Sequence, residues 1–147
     1  AMTGWRLGYG IFPNKLVEPI SRLVTNSVSC TSAFSQKAAA AAIQGPQDSV
    51  KMMLKEFKER SKIVVDGFNA INGISCIQPK GAFYAFPNIK DTGYKSQELS
   101  DALLNQGVAV LPGTSFGKYG EGYLRISFAN SRENLNKALK IIKEFLD

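Results

Sequence analysis

Ala1-Met2-Thr3-Gly4-Trp5-Arg6-Leu7-Gly8-Tyr9 opens the chain with no turn or capping residue ahead of it, so the stretch reads as the middle of a strand inside a larger protein. At the period of two that a strand imposes, Trp5, Leu7, Tyr9 and Ile11 share one face and Gly4, Arg6, Gly8 and Gly10 the other. The first is a packing surface. The second is one arginine surrounded by bare backbone. Gly inside a strand loses order and packs nothing, so three of them around Arg6 mark either a place where a ligand approaches the backbone or a solvated strand face.

Working outward, the strand predicted through about Phe12 is closed by Pro13-Asn14, and a helix follows from about Lys15 to Val28 with Pro19 early in it. Ser29 to Ser32 is a polar loop, and the Ala-rich run Phe34 to Gln44 is a helix that ends at Gly45-Pro46. A long helix is expected from Pro46 to about Ile71, its stripe of Val50, Met53, Leu54, Phe57, Val64 and Phe68 lying on other structure. After Asn72-Gly73 the texture changes to short strands, Ile74 to Ile77 and Ala82 to Phe86, around a Pro79-Lys80-Gly81 turn. Ser96 caps a helix from Gln97 to Gln106 that Gly107 ends, and Val108 to Leu111 is a strand stopped by Pro112-Gly113. In Tyr123 to Ala129, Leu124, Ile126 and Phe128 point one way, which leaves Arg125 on a polar face with Tyr123 and Ser127. Ser131 and Glu133 open a final helix whose buried stripe is Leu135, Ala138, Leu139, Ile142 and Phe145.

Composition narrows the function classes. The 147 residues amount to about one domain, long enough to bury roughly 70% of the unfolded surface. No apolar run approaches the ~20 residues of a membrane helix, and no signal peptide is recognisable. The net charge of +6 comes from lysines scattered along helices, among them Lys51, Lys55, Lys58 and Lys62, which reads as a solvated face; no nucleic-acid partner is expected. The sequence has no histidine, which removes Ser-His and Cys-His nucleophiles and imidazole metal sites, and no metal is expected. Cys30 and Cys76 form no Cys-x-x-Cys unit and read as reduced, buried and inert, which points to a cytoplasmic setting. The glycine-rich run Gly113 to Gly122 fails as a phosphate loop, because Lys118 is followed by Tyr119 where Ser or Thr is needed.

The opening stretch resembles the segment after the cofactor lysine in class I/II pyridoxal-phosphate aminotransferases, Ser-Lys-x-x-Ala-Met-Thr-Gly-Trp-Arg-x-Gly-Tyr. Pro79-Lys80-Gly81-Ala82-Phe83-Tyr84, Val110-Leu111-Pro112-Gly113-Thr114-Ser115-Phe116-Gly117 and Gly122-Tyr123-Leu124-Arg125-Ile126-Ser127-Phe128-Ala129 are similar to further landmarks of that family, in its order. The resemblance implies an α/β, fold-type-I fragment: residues 1–45 as the end of the large cofactor domain, 46–71 as the connecting helix and 72–147 as the small α+β domain. It implies that Arg6 binds the cofactor phosphate and that Arg125 grips the substrate α-carboxylate, each by a fork of donors matched to two oxygens.

By the same resemblance the lysine lies three residues before Ala1, so this chain carries no catalytic residue of its own, is not expected to bind the cofactor covalently, and by itself is expected to be inactive. The implied reaction moves an amino group between an amino acid, aspartate as first choice, and a 2-oxo acid in a homodimeric parent enzyme. A lyase of the same superfamily and a non-enzymatic ligand-binding or regulatory module are the alternatives.

Overall fold

Where the sequence predicts a strand from Ala1 to about Phe12, the chain makes a 3-10 turn over Thr3–Trp5, closed by Arg6 in the left-handed region at φ 51°. The structure, a computed structural model, describes residues 2–147; Ala1 lies outside them. Residues 7–13 continue without regular structure. A strand is held by a ladder to its neighbour, and among the described residues none pairs with this segment. Its alternation therefore has no burial to go with it: Tyr9 is 75% and Ile11 90% exposed.

The chain divides into two units, Ala1–Lys51 and Met52–Asp147. The first holds α1 (Asn14–Val28) and α2 (Ala33–Gln44). Pro13 precedes α1, which contains Pro19 and carries an Arg22–Glu18 pair one turn apart. Past the end of α2 the Gly45 N–H donates to Ala41 O at 2.9 Å, and Gln47 Nε2 donates to the Ala42 and Gly45 carbonyls at 2.9 Å each, satisfying groups that a helix end leaves open. Among the described residues of this unit only Ser35 is buried; no apolar side chain is.

A third helix, α3 (Asp48–Asn69), starts two residues later than expected, with Asp48 placed favourably at its positive end. Within the second unit it buries Val64, Val65 and Phe68. Leu99 and Leu103 of α4 (Ser96–Asn105), Leu124 of β3 (Leu124–Ser127), Phe128, and Leu135 and Ile142 of α5 (Arg132–Leu146) join it in the core, with Ile71, Ile74, Cys76, Ala85, Ile89 and Val108. Each such side chain contributes about 1.5–3 kcal/mol on full burial. Ser131 caps α5 as expected, its Oγ accepting from Asn134 N at 3.1 Å.

The sheet is smaller than the sequence suggests. Its strands are β1 (Tyr84–Ala85), β2 (Leu111–Pro112) and β3, in the order β1-β3-β2 and antiparallel throughout. The strand expected at Ile74 to Ile77 is a single bridge, Ser75 to Asn88, because Cys76 next to it is taken by a side chain: Asn69 accepts from Cys76 N at 2.7 Å and donates to its carbonyl at 3.0 Å. Only Leu111 of the expected Val108 to Leu111 strand joins the ladder, opposite Arg125. The glycine-rich run is a closed loop in which Gly113 and Gly120 touch backbone to backbone, leaving no room for a Cβ on either.

Candidate functional site

Arg125 lies on the central strand, half-buried, with the apolar Leu124 and Ile126 on either side of it in sequence holding β3 to the core. Its guanidinium carbon lies over two aromatic rings, 4.4 Å from the Tyr84 centroid and 4.3 Å from that of Phe116. The register places Tyr84 opposite Ser127, so Tyr84 and Arg125 are diagonal neighbours on adjacent strands. Phe116 arrives from the 3-10 turn Gly113–Phe116 that follows β2.

Each ring is backed by others. Phe116 meets Phe86 edge-on at 6.4 Å, and Phe86 stacks on Tyr123 at 5.3 Å and 19°, with Lys90 Nζ 5.0 Å from the Tyr123 ring centre. Tyr84 packs against Phe83 at 4.5 Å, and Phe83 against Phe57 at 6.1 Å.

The loop that carries Tyr123 is tied to α4 by Glu121. Its Oε1 accepts from Ser96 N at 2.9 Å and Gly122 N at 3.0 Å, and these amide donors, Ser96 first, hold its carboxyl below the usual range. Sequence reasoning makes Ser96 the cap of α4; Ser96 is instead inside the helix, fully buried, and its Oγ accepts from Gly122 N at 2.8 Å. A carboxylate reaching across 25 positions takes the Ser96 N–H, one of the amides that a helix start leaves open, with the strength of a charged acceptor.

The five arginines separate into two groups. Arg22 pairs with Glu18, and Arg60 and Arg132 share Glu56, holding its carboxyl down at about 2 through hydrogen bonds, that of Arg132 the larger. Arg6 and Arg125 have no carboxylate partner among the described residues. Arg6 shares a hollow with Thr3, Gly8 and Thr31, and its Nη1 makes one long 3.4 Å bond to Thr3 O. A guanidinium and two threonines, with no acid among them, suit a phosphate group.

Cys76 is buried, which pushes its thiol up, whereas Cys30 is exposed, so the expected burial holds for Cys76 alone; Cys30 lies between two helices of a unit with no buried apolar side chain among its described residues. No metal-binding group of three ligating side chains occurs among the described residues, and no helix described is long and apolar enough to cross a membrane. The sequence alternation already separates Tyr84 and Phe86 from Ala85, but nothing local says that the Tyr84 ring meets an arginine 41 positions away, or that Phe86 backs the Phe116 ring on that arginine.

Comparison with known proteins gives these residues a context. Residues 1–142 match the family described as aminotransferase class I and II. The aspartate aminotransferase of Pyrococcus horikoshii is 42% identical over 150 residues, covering 100% of this chain and 38% of that protein. An aromatic-amino-acid aminotransferase of Thermococcus litoralis is 41% identical, covering 98% of this chain and 39% of its own length. The crystal structure of an aromatic aminotransferase from P. horikoshii superposes with a TM-score of 0.91 at 40% identity, over 99% of this chain and 39% of that one. This chain thus spans well under half the length of the relatives it matches, in the fold of part of the type-I pyridoxal-phosphate enzymes. It belongs to the class I and II aminotransferases.

Proposed function

We propose that the whole protein to which this chain belongs transfers an amino group between an amino acid and a 2-oxo acid, with aspartate and 2-oxoglutarate as the preferred pair. The observation that carries this is Arg125, a half-buried guanidinium flanked by rings and left without an acid partner. An ordinary structural arginine is paired, as Arg132 is with Glu56; one kept unpaired in a polar strand position is available to an incoming carboxylate.

Pyridoxal phosphate, the cofactor of this family, supplies an electron-withdrawing ring and the carbon that accepts the amino group. Toward it, Arg6 holds the phosphate, with Thr3 and Thr31 lining the same hollow. Toward the substrate, Arg125 holds the α-carboxylate in its fork and so fixes the orientation of the α-carbon. Relatives of nearly equal similarity carry aspartate and aromatic names, so the preference for aspartate rests on the resemblance and not on Arg125, which reads a group all amino acids share. A homodimeric, cytoplasmic parent enzyme completes the proposal; sedimentation of the full-length protein tests the dimer.

The experiment is Arg125→Lys in the full-length protein. A point charge cannot reproduce the planar fork, and kcat/KM is expected to fall at least ~10²-fold, about 2.7 kcal/mol, for every amino acid alike. A loss confined to one substrate assigns Arg125 to a side chain; no loss at all removes it from the site.

A further inference from the structure

We propose that Tyr84 and Phe116 are positioning residues that clamp the Arg125 guanidinium by its faces, so that all of its N–H donors stay free at the edge for a planar two-oxygen group. The inference rests on the reading of Arg125 as the carboxylate-binding residue. The five N–H donors of a guanidinium lie in its own plane, while its faces carry no polar hydrogen. A carboxylate partner immobilises an arginine by occupying those donors, and Glu56 does so for Arg60 and Arg132. Two rings at 4.4 and 4.3 Å from the guanidinium carbon restrain it without using a donor. The restraint is firm because neither ring stands alone: Phe86 and Tyr123 brace Phe116, and Phe83 and Phe57 brace Tyr84. The Gly113–Gly120 backbone contact closes the loop that presents Phe116.

The test uses the full-length protein with an amino-acid donor and a 2-oxo-acid acceptor. Tyr84→Leu and Phe116→Leu retain apolar bulk but lose the ring face, and each is expected to lower kcat/KM about tenfold, mostly through KM and equally for both substrates. Tyr84→Phe and Phe116→Tyr keep the face and are expected to keep activity. In the Tyr84→Leu/Phe116→Leu background Arg125→Lys is expected to cost several-fold less than it does alone, since the fork it removes is no longer aligned. A readout independent of turnover is the Arg125 Nε–H proton of the full-length protein, which ring currents are expected to hold upfield and which is expected to move downfield in either Leu variant. If Arg125→Lys is damaging while the Leu variants are silent or simply additive with it, the clamp is overturned and the carboxylate reading stands. If Arg125→Lys is harmless to every substrate, both fall.

Discussion

Residues 2–51 and residues 52–147 are built from similar local signals and end in different physical conditions. Both contain well-marked helices, and α1 and α5 are each 15 residues long with an apolar stripe. Yet α5 buries Leu135 and Ile142 in a core shared with four other elements, whereas α1 buries nothing and leaves Leu23 67% and Val28 70% exposed. Within this chain, which spans 38% of the aspartate aminotransferase it matches, a helical pattern does not by itself imply a core. Most of a helix's stability comes from what its apolar face covers, so the two regions should differ sharply in how they respond to mutation.

The largest contrast is expected in core truncation. Leu124→Ala or Phe68→Ala should lower the unfolding free energy of the second unit by about 3–5 kcal/mol, read by chemical denaturation. Leu23→Ala in α1 should leave that transition unmoved within about 0.5 kcal/mol. A comparable loss from Leu23→Ala would mean that the first unit has a core after all.

Next in size is Ser96→Ala, which takes one of two acceptors from each of the Gly122 and Tyr123 amides, leaving Glu121 Oε1 and Gly120 O, and should cost about 1–1.5 kcal/mol. Removing the α5 cap by Ser131→Ala should cost about 1 kcal/mol.

The smallest effect is electrostatic and visible as a pH dependence. The folded state holds Glu56 at about 2, below its ordinary 4.5, so its stabilising contribution is complete above about 4.5 and is lost as pH falls toward 2. Glu56→Gln should therefore lower stability near neutral pH and flatten the acid limb in that window. Glu18→Gln, in an exposed pair of the first unit, should change nothing measurable.

How far the sequence could be read follows the same division between local and distant causes. The helices were legible because their period and their breakers lie within the segment itself, and the strand position of Arg125 was legible because its apolar neighbours alternate with it; the carboxylate role came from the resemblance alone. The strand expected at the chain's start was not, because alternation describes a strand only when a partner supplies the ladder, and here Gly4, Gly8 and Gly10 weaken the extended form further. The Glu121 cap and the rings around Arg125 were illegible for a related reason. Their partners meet through strand register and a closed loop, and nothing within a few residues of Ser96 or Tyr84 announces them.

The bare contact between Gly113 and Gly120 also makes the loop's closure independent of its length. The two rims meet through backbone atoms at Gly113 and Gly120, while Lys118 and Tyr119 stand at the outer bend, Tyr119 at 83% exposure. Extra residues spliced in after Lys118 would add only the slowly growing entropy of a longer bight, about 0.6 kcal/mol per doubling. Phe116, on the near side of the splice, would keep its post. That bend is thus a natural insertion point, where a tag or a new recognition segment could be carried beside the arginine without loosening it.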